Sequence, residues 1–209
     1  NERYTLKGKR LAGFNSIFAV SSIETAKKYY AEFKSKNTEL KIALIYSFGA
    51  NEAECEDGIL PDEDFDTTAL DKSSRDFLDQ AIANYNQSFA TNFDTSADKF
   101  ENYYKDLSQR VKNREVDLLV VVNMFLTGFD ATTLNTLWVD KNLRHHGLLQ
   151  AFSRTNRILN SVKTFGNIVC FRDLETATNE AISIFGNKEA GGIVLLKSYD
   201  DYYNCWDKD

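Results

Sequence analysis

Gln150, Arg154 and Arg157 are spaced so that a helix, turning about 100° per residue, would gather all three within an arc of roughly 60°. An amide and two guanidinium groups on one face make a fork for anions. Arginine keeps its charge at any working pH, and its planar donors engage two oxygens together, which is what stabilising charge on a transferring phosphoryl group requires. Leu148, Phe152 and Leu159 fall on the opposite face as a narrow apolar stripe. The segment therefore reads as a helix packed on a core with the fork turned outward. A solvated basic helix face is the other reading of the same spacing.

The elements that must position this fork lie just upstream. The five apolar residues Leu118-Leu-Val-Val-Val122 run into Asn123-Met-Phe-Leu-Thr127-Gly128-Phe129-Asp130. An apolar run without alternation is a strand covered on both faces, as in parallel α/β sheets, whose ligands bind at the carboxyl ends of the strands. A second strand, Asn135 to Val139, leads through Asp140-Lys141-Asn-Leu-Arg144-His145-His146-Gly147 straight into the arginine segment. Both polar loops should open on the same edge of one sheet. Further strands are expected at Asn15 to Val20, Lys41 to Tyr46 and Asn167 to Phe171. Helices are expected after the capping box Ser21-Ser22-Ile-Glu24, and at Ser74 to Phe89, Ser96 to Arg114 and Leu174 to Ile184. This alternation predicts an α/β fold, a mostly parallel sheet with helices on both faces.

The run Asn123 to Asp130, then Trp138-Val-Asp-Lys141, then Gln150-Ala-Phe-Ser-Arg-Thr-Asn-Arg157, resembles motifs V and VI of superfamily 2 helicases and translocases. The wording is most similar to the motor subunit of type I restriction enzymes. Phe14 to Ser22 resembles the strand and turn of motif IV, and Gly166 to Arg172 resembles the strand after motif VI. Ser153 stands where the wider superfamily often has Gly, and the type I subgroup is similar to the Ser form. The resemblance implies a RecA-like P-loop NTPase fold. No Gly-x4-Gly-Lys-[Ser/Thr] occurs, and the nearest candidate, Lys7-Gly8-Lys9-Arg10, lacks the first Gly and the hydroxyl. The implied part is thus the second of two RecA-like lobes, spanning 1–185 with an acidic insert at 50–70. Residues 186–209 would start a following helical region or tail.

Carried over by resemblance, Arg157 is the arginine finger, Arg154 a second phosphate contact, and Gln150 orients nucleotide or water. Gly128 allows close backbone approach, and Asp130 contacts the ribose or holds an arginine of the fork. Ser21, Ser22, Asn123 and Thr127 would contact the nucleic-acid backbone, which positions a protein without reading bases. ATP and Mg2+ would be held mainly by a preceding lobe of the same polypeptide. The implied partners are double-stranded DNA and the methyltransferase and specificity subunits of a restriction complex, with no membrane. Two other readings stand beside this one: a noncatalytic RecA-like module that binds protein or nucleic acid, and a lobe of another superfamily 2 motor.

Composition fits such a machine. The chain has 209 residues, 43% hydrophobic, enough to bury one core. Its net charge of −6 is unevenly spread, since residues 101–172 carry ten Lys and Arg against six Asp and Glu. Eight of the fifteen residues from Glu52 to Asp66 are acidic and none is basic, so with Gly58 and Pro61 this stretch reads as a loop, and Asp62-Glu63-Asp64 as solvated charge. Cys55, Cys170 and Cys205 form no Cys-x-x-Cys pair, which predicts neither disulfide framework nor zinc site and points to a reducing compartment; the resemblance implies the cytoplasm of a bacterium or archaeon. Cys170 is expected in the core. His145 and His146 are adjacent and so point apart, and no metal site is expected there. No apolar run approaches the roughly 20 residues needed to cross a bilayer. The first residue is Asn rather than Met, which reads as a fragment of a longer polypeptide.

Overall fold

The computed structural model describes residues 14–36, 39–47, 65–159 and 163–185, together with the backbone of 5–6 and 9–10. A short antiparallel pair joins β1 (Thr5–Leu6) to β2 (Lys9–Arg10), so Lys9 and Arg10 lie in a strand. The main sheet contains β3 (Asn15–Val20), β4 (Ile42–Ile45), β5 (Leu118–Val121), β6 (Leu134–Asp140) and β7 (Asn167–Cys170), in the order β4-β5-β3-β6-β7. Every neighbouring pair in it is parallel. The central strands are apolar because both faces are covered. Ile17, Ala19, Val20, Leu119, Val120 and Val121 have no exposed surface.

Among the described residues, five helices connect and cover the strands: α1 (Ile23–Ser35), α2 (Lys72–Phe89), α3 (Ala97–Lys112), α4 (His145–Phe152) and α5 (Glu175–Phe185). Side chains alternate across a strand, so neighbours of β3 report both faces. Phe18 points to α1, with its ring 4.6 Å from Tyr29 and 6.3 Å from Phe33. Asn15 points the other way and donates from Nδ2 to the Val111 carbonyl of α3. The Tyr103 hydroxyl, also from α3, donates to the Leu44 carbonyl of β4 at 2.9 Å. Helices therefore flank both faces of a parallel sheet, as the alternation of elements predicts.

Two local expectations are corrected. The N-cap of α1 is Ser22, whose hydroxyl accepts from the Thr25 amide at 3.2 Å, so the Ser21–Glu24 box is not formed. Burial of Ile23 sets that register, and Glu24 pairs instead with Lys27 at 2.7 Å. Cys170 is exposed, because β7 is an edge strand whose four residues are all accessible. Most of the acidic insert and all of 186–209 lie outside the described residues. At the insert's end, Phe65 stacks edge-on against Tyr104 at 5.0 Å and Asp66 accepts from the Thr68 amide at 2.7 Å. Among the described residues no helix is long and apolar enough to cross a membrane.

Candidate functional site

Because the strands are parallel, the segments that follow β3, β5, β6 and β7 emerge on one edge of the sheet. Ser21 and Ser22 follow β3, and the turn from Asn123 to Asp130 follows β5. That turn needs three left-handed residues, Asn123 (φ 61°), Phe125 (φ 64°) and Gly128 (φ 63°). Asn and Gly take this conformation readily, whereas a bulky Phe adopts it only where its surroundings hold it there. Phe125 is fully buried, with its ring 4.6 Å from Tyr104 and 4.9 Å from Phe129. Buried Phe125 and Phe129 anchor the turn from below, leaving Gly128 and Asp130 at the surface. A Cβ built on Gly128 meets nothing within 4 Å, so open space lies against its backbone. Asn123 turns inward and its side-chain oxygen accepts from the buried Lys141 ammonium, tying the end of β5 to the end of β6.

The arginine segment departs from a continuous helix. Helix α4 stops at Phe152, a 3-10 turn covers Ser153–Thr155, and Arg157 lies beyond both. The apolar stripe is correspondingly incomplete, with Leu148 fully buried and Phe152 and Leu159 only half-buried. Arg154 is a brace. It donates from Nε to the Gln150 carbonyl at 2.9 Å, from one terminal nitrogen to the Phe129 carbonyl at 2.6 Å, and from the other to the Ser153 hydroxyl at 3.1 Å. Burial, then the nearby Arg157 charge, pulls Arg154 below the ordinary arginine value, and Asp130 works in the opposite direction. Arg157 meets Asp130 at 3.1 Å, Nε to Oδ1, with its side chain 58% exposed. In this arrangement Asp130 holds Arg157, one of the two roles expected of it. Gln150 is half-buried, and its carbonyl accepts from Arg154 and from the Ser153 hydroxyl at 2.7 Å.

Other expected residues divide by burial. Thr127 is half-buried on the turn, Ser21 is half-buried at the end of β3, and Ser22 spends its hydroxyl on capping. Asn123 is 6% exposed and forms part of the scaffold. Three positions to which the motifs assign no role shape the same edge: Lys141 beneath the turn, and Lys163 and Gly166 against the arginine segment. A Cβ on Gly166 would lie 2.2 Å from the Thr155 carbonyl oxygen, so only glycine permits that approach. Nothing local in sequence marks Lys163, which looks like one more loop cation. At the end of β6, Asp140 accepts from the Tyr29 hydroxyl at 3.1 Å and pairs with Arg172 at 2.7 Å. Burial, and then the Asp140 hydrogen bond, raises the Tyr29 phenol above its usual value.

A parallel sheet whose carboxyl edge gathers an exposed guanidinium, a braced one and an open glycine backbone is an α/β domain suited to anionic ligands. Residues 12–173 match the family model of the type I restriction enzyme subunit R domain 3. The chain belongs to that family. It is 41% identical over 208 residues to the endonuclease subunit of a type I restriction enzyme of Staphylococcus aureus strain COL, covering 97% of this chain and 21% of that protein. A relative of the same description from Staphylococcus saprophyticus is 43% identical over 208 residues, with the same coverage. The chain thus spans about a fifth of the length of these relatives. Among solved structures, the C-terminal domain of the DEAD-box protein Dbp5 superposes with a TM-score of 0.42 at 14% identity, covering 84% of this chain and 72% of that one. The resemblance to type I restriction motor subunits is borne out at the level of the family.

Proposed function

We propose that this chain is the second motor lobe of an ATP-dependent DNA translocase within a type I restriction enzyme R subunit, presenting Arg157 to a nucleotide held mainly by a preceding lobe. The observation that carries the reading is the unequal use of the two arginines. Arg154 is consumed in bracing the β5 turn, while Arg157 rests on a surface carboxylate with more than half of its side chain accessible. An exposed pair of this kind is worth little to the fold, so its guanidinium can exchange Asp130 for a phosphate without unfolding anything. Gly128 lies on the same turn with open space at its backbone, which fits an approaching anion.

In this mechanism ATP with Mg2+ supplies the phosphoryl transfer that powers motion. The chain's own residues orient and neutralise. Asp130 keeps Arg157 extended in the open lobe, Arg154 sets the height of the turn, and Gln150 at the end of α4 orients polar groups between the lobes. Arg157 acts by meeting charge that develops in the transition state, the effect that makes an arginine finger worth about 10³ to 10⁵ in rate. Ser21 and Thr127, on the same edge, contact the DNA backbone, and Asn123 supports them from beneath through Lys141. The methyltransferase and specificity subunits of the complex supply sequence recognition. In a complete R subunit, Arg157→Ala is expected to abolish DNA-stimulated ATP hydrolysis and translocation with the fold intact. Near-normal turnover in that variant would make the noncatalytic module the better account.

A further inference from the structure

The end of α4 at Phe152 leaves a question of mechanics, because Arg157 is not carried by the helix and something else must define where it stands. Lys163 does so from below. The residue is 3% exposed, and its ammonium donates to the Thr155 carbonyl at 2.6 Å and to the Arg157 carbonyl. Its backbone pairs with Leu159 in both directions, amide to carbonyl at 3.1 Å and carbonyl to amide at 2.9 Å. One residue thus grips the chain on both sides of Asn156, the position between Thr155 and Arg157. The last carbonyls of a helical segment have no partner within it and carry partial negative charge, so a cation placed there is favourable. Burying an ammonium is costly, and an apolar residue would fill the same space more cheaply. Burial alone draws this lysine below its ordinary value, and among the described residues no carboxylate pairs with it. Packing therefore does not account for a lysine here, whereas a need for donors at two carbonyls does.

We propose that Lys163 is the positioning residue of the arginine turn: by clasping the Thr155 and Arg157 carbonyls it holds Arg157 at the height of Asp130, on the edge where the neighbouring lobe closes. Gly166 completes the clasp, because its lack of a Cβ lets the chain lie directly against Thr155. The inference rests on the arginine reading above.

The test uses the complete R subunit and measures DNA-stimulated ATP turnover for Lys163→Met, Lys163→Arg and Arg157→Ala in parallel, with the melting temperature of each. A guanidinium misplaced by about 1 Å costs on the order of 10²-fold in rate. Lys163→Met is therefore expected to lower kcat on that order with KM for ATP little changed, the signature of an interaction made only in the transition state. Lys163→Arg keeps donors in the same place and is expected to recover most of the loss. A folded Lys163→Met with normal kcat, a loss seen only as a raised KM, or an equal loss in Lys163→Arg overturns the proposal. If Lys163→Met does not fold, Lys163→Leu replaces it, likewise without a donor and under the same criteria. Normal turnover in Arg157→Ala would instead remove the arginine reading itself, whereas an inactive Arg157→Ala beside a fully active Lys163→Met would remove only the role of Lys163.

Discussion

Arg154 and Arg157 stand three residues apart and do different work, and stability measurements can separate them. Arg154 satisfies the Phe129 and Gln150 carbonyls. Hydrogen bonds to charged groups contribute about 1.5 to 3 kcal/mol when shielded, and partial exposure of Arg154 reduces that to roughly 1 to 2. Arg154→Ala should accordingly lower the melting temperature of this chain clearly. Arg157→Ala should leave it almost unmoved, since exposed ion pairs contribute roughly 0 to 1 kcal/mol. Phe152→Ala lies between core and surface: full burial of a Phe would cost about 3 to 5 kcal/mol, and a half-buried ring should cost about half as much. Thermal unfolding of the three variants checks the order, and an Arg157→Ala that melts earlier than Arg154→Ala would reverse the assignment of brace and finger. The types of these residues were legible from spacing. Their division of labour was not, because it depends on where the Phe129 carbonyl lies, 25 residues away in sequence.

At the level of elements, the sheet could be read because its inner strands are unbroken apolar runs, and Asn15–Val20 matches its expected limits residue for residue. The end of α4 could not. Ser153-Arg-Thr-Asn156 contains neither Gly nor Pro to stop a helix, and the tightening into a 3-10 turn is accompanied by contacts from Lys163 and Gly166 further along the chain. Exposure of Cys170 was hidden for a similar reason, since an edge strand and an inner strand share one local pattern. Helix starts carry a pH signature. Just before α3, Asp94 accepts from the Ser96 amide at 2.9 Å and pairs with Lys99 at 2.7 Å. The Lys99 hydrogen bond, followed by those from Ser96, lowers this carboxyl from 3.8 to about 2. A depressed carboxyl stabilises the fold above its unfolded value, and that contribution fades as pH falls from 3.8 through about 2. Asp94 is 45% exposed, so solvent screening keeps its share near the roughly 0.2 to 1 kcal/mol of surface pairs. Chemical denaturation should show wild type more stable than Asp94→Asn near neutral pH, with the gap closing toward pH 2; a gap that widens in acid would contradict the assignment.

As the proposed second lobe, the whole molecule would supply half of a site. Its residues 101–172 form the basic part of an acidic protein, with a net charge of +4 against −6 overall. DNA binding by the isolated chain is expected to be weak, to fall steeply with added salt and to show no sequence preference, because the proposed contacts are to phosphate. Sequence-selective binding in a filter or anisotropy assay would contradict that. If Arg157 stabilises charge that appears only in the transition state, as proposed, ligand affinity in the complete R subunit will reveal it. Magnesium-ADP-aluminium fluoride mimics the transferring phosphoryl group, and magnesium-ADP provides the ground-state reference. Arg157→Ala is expected to weaken the fluoride complex by on the order of 10³-fold while leaving ADP affinity nearly unchanged. Equal affinities of wild type and variant for the fluoride complex, or an equal loss for both ligands, would contradict it.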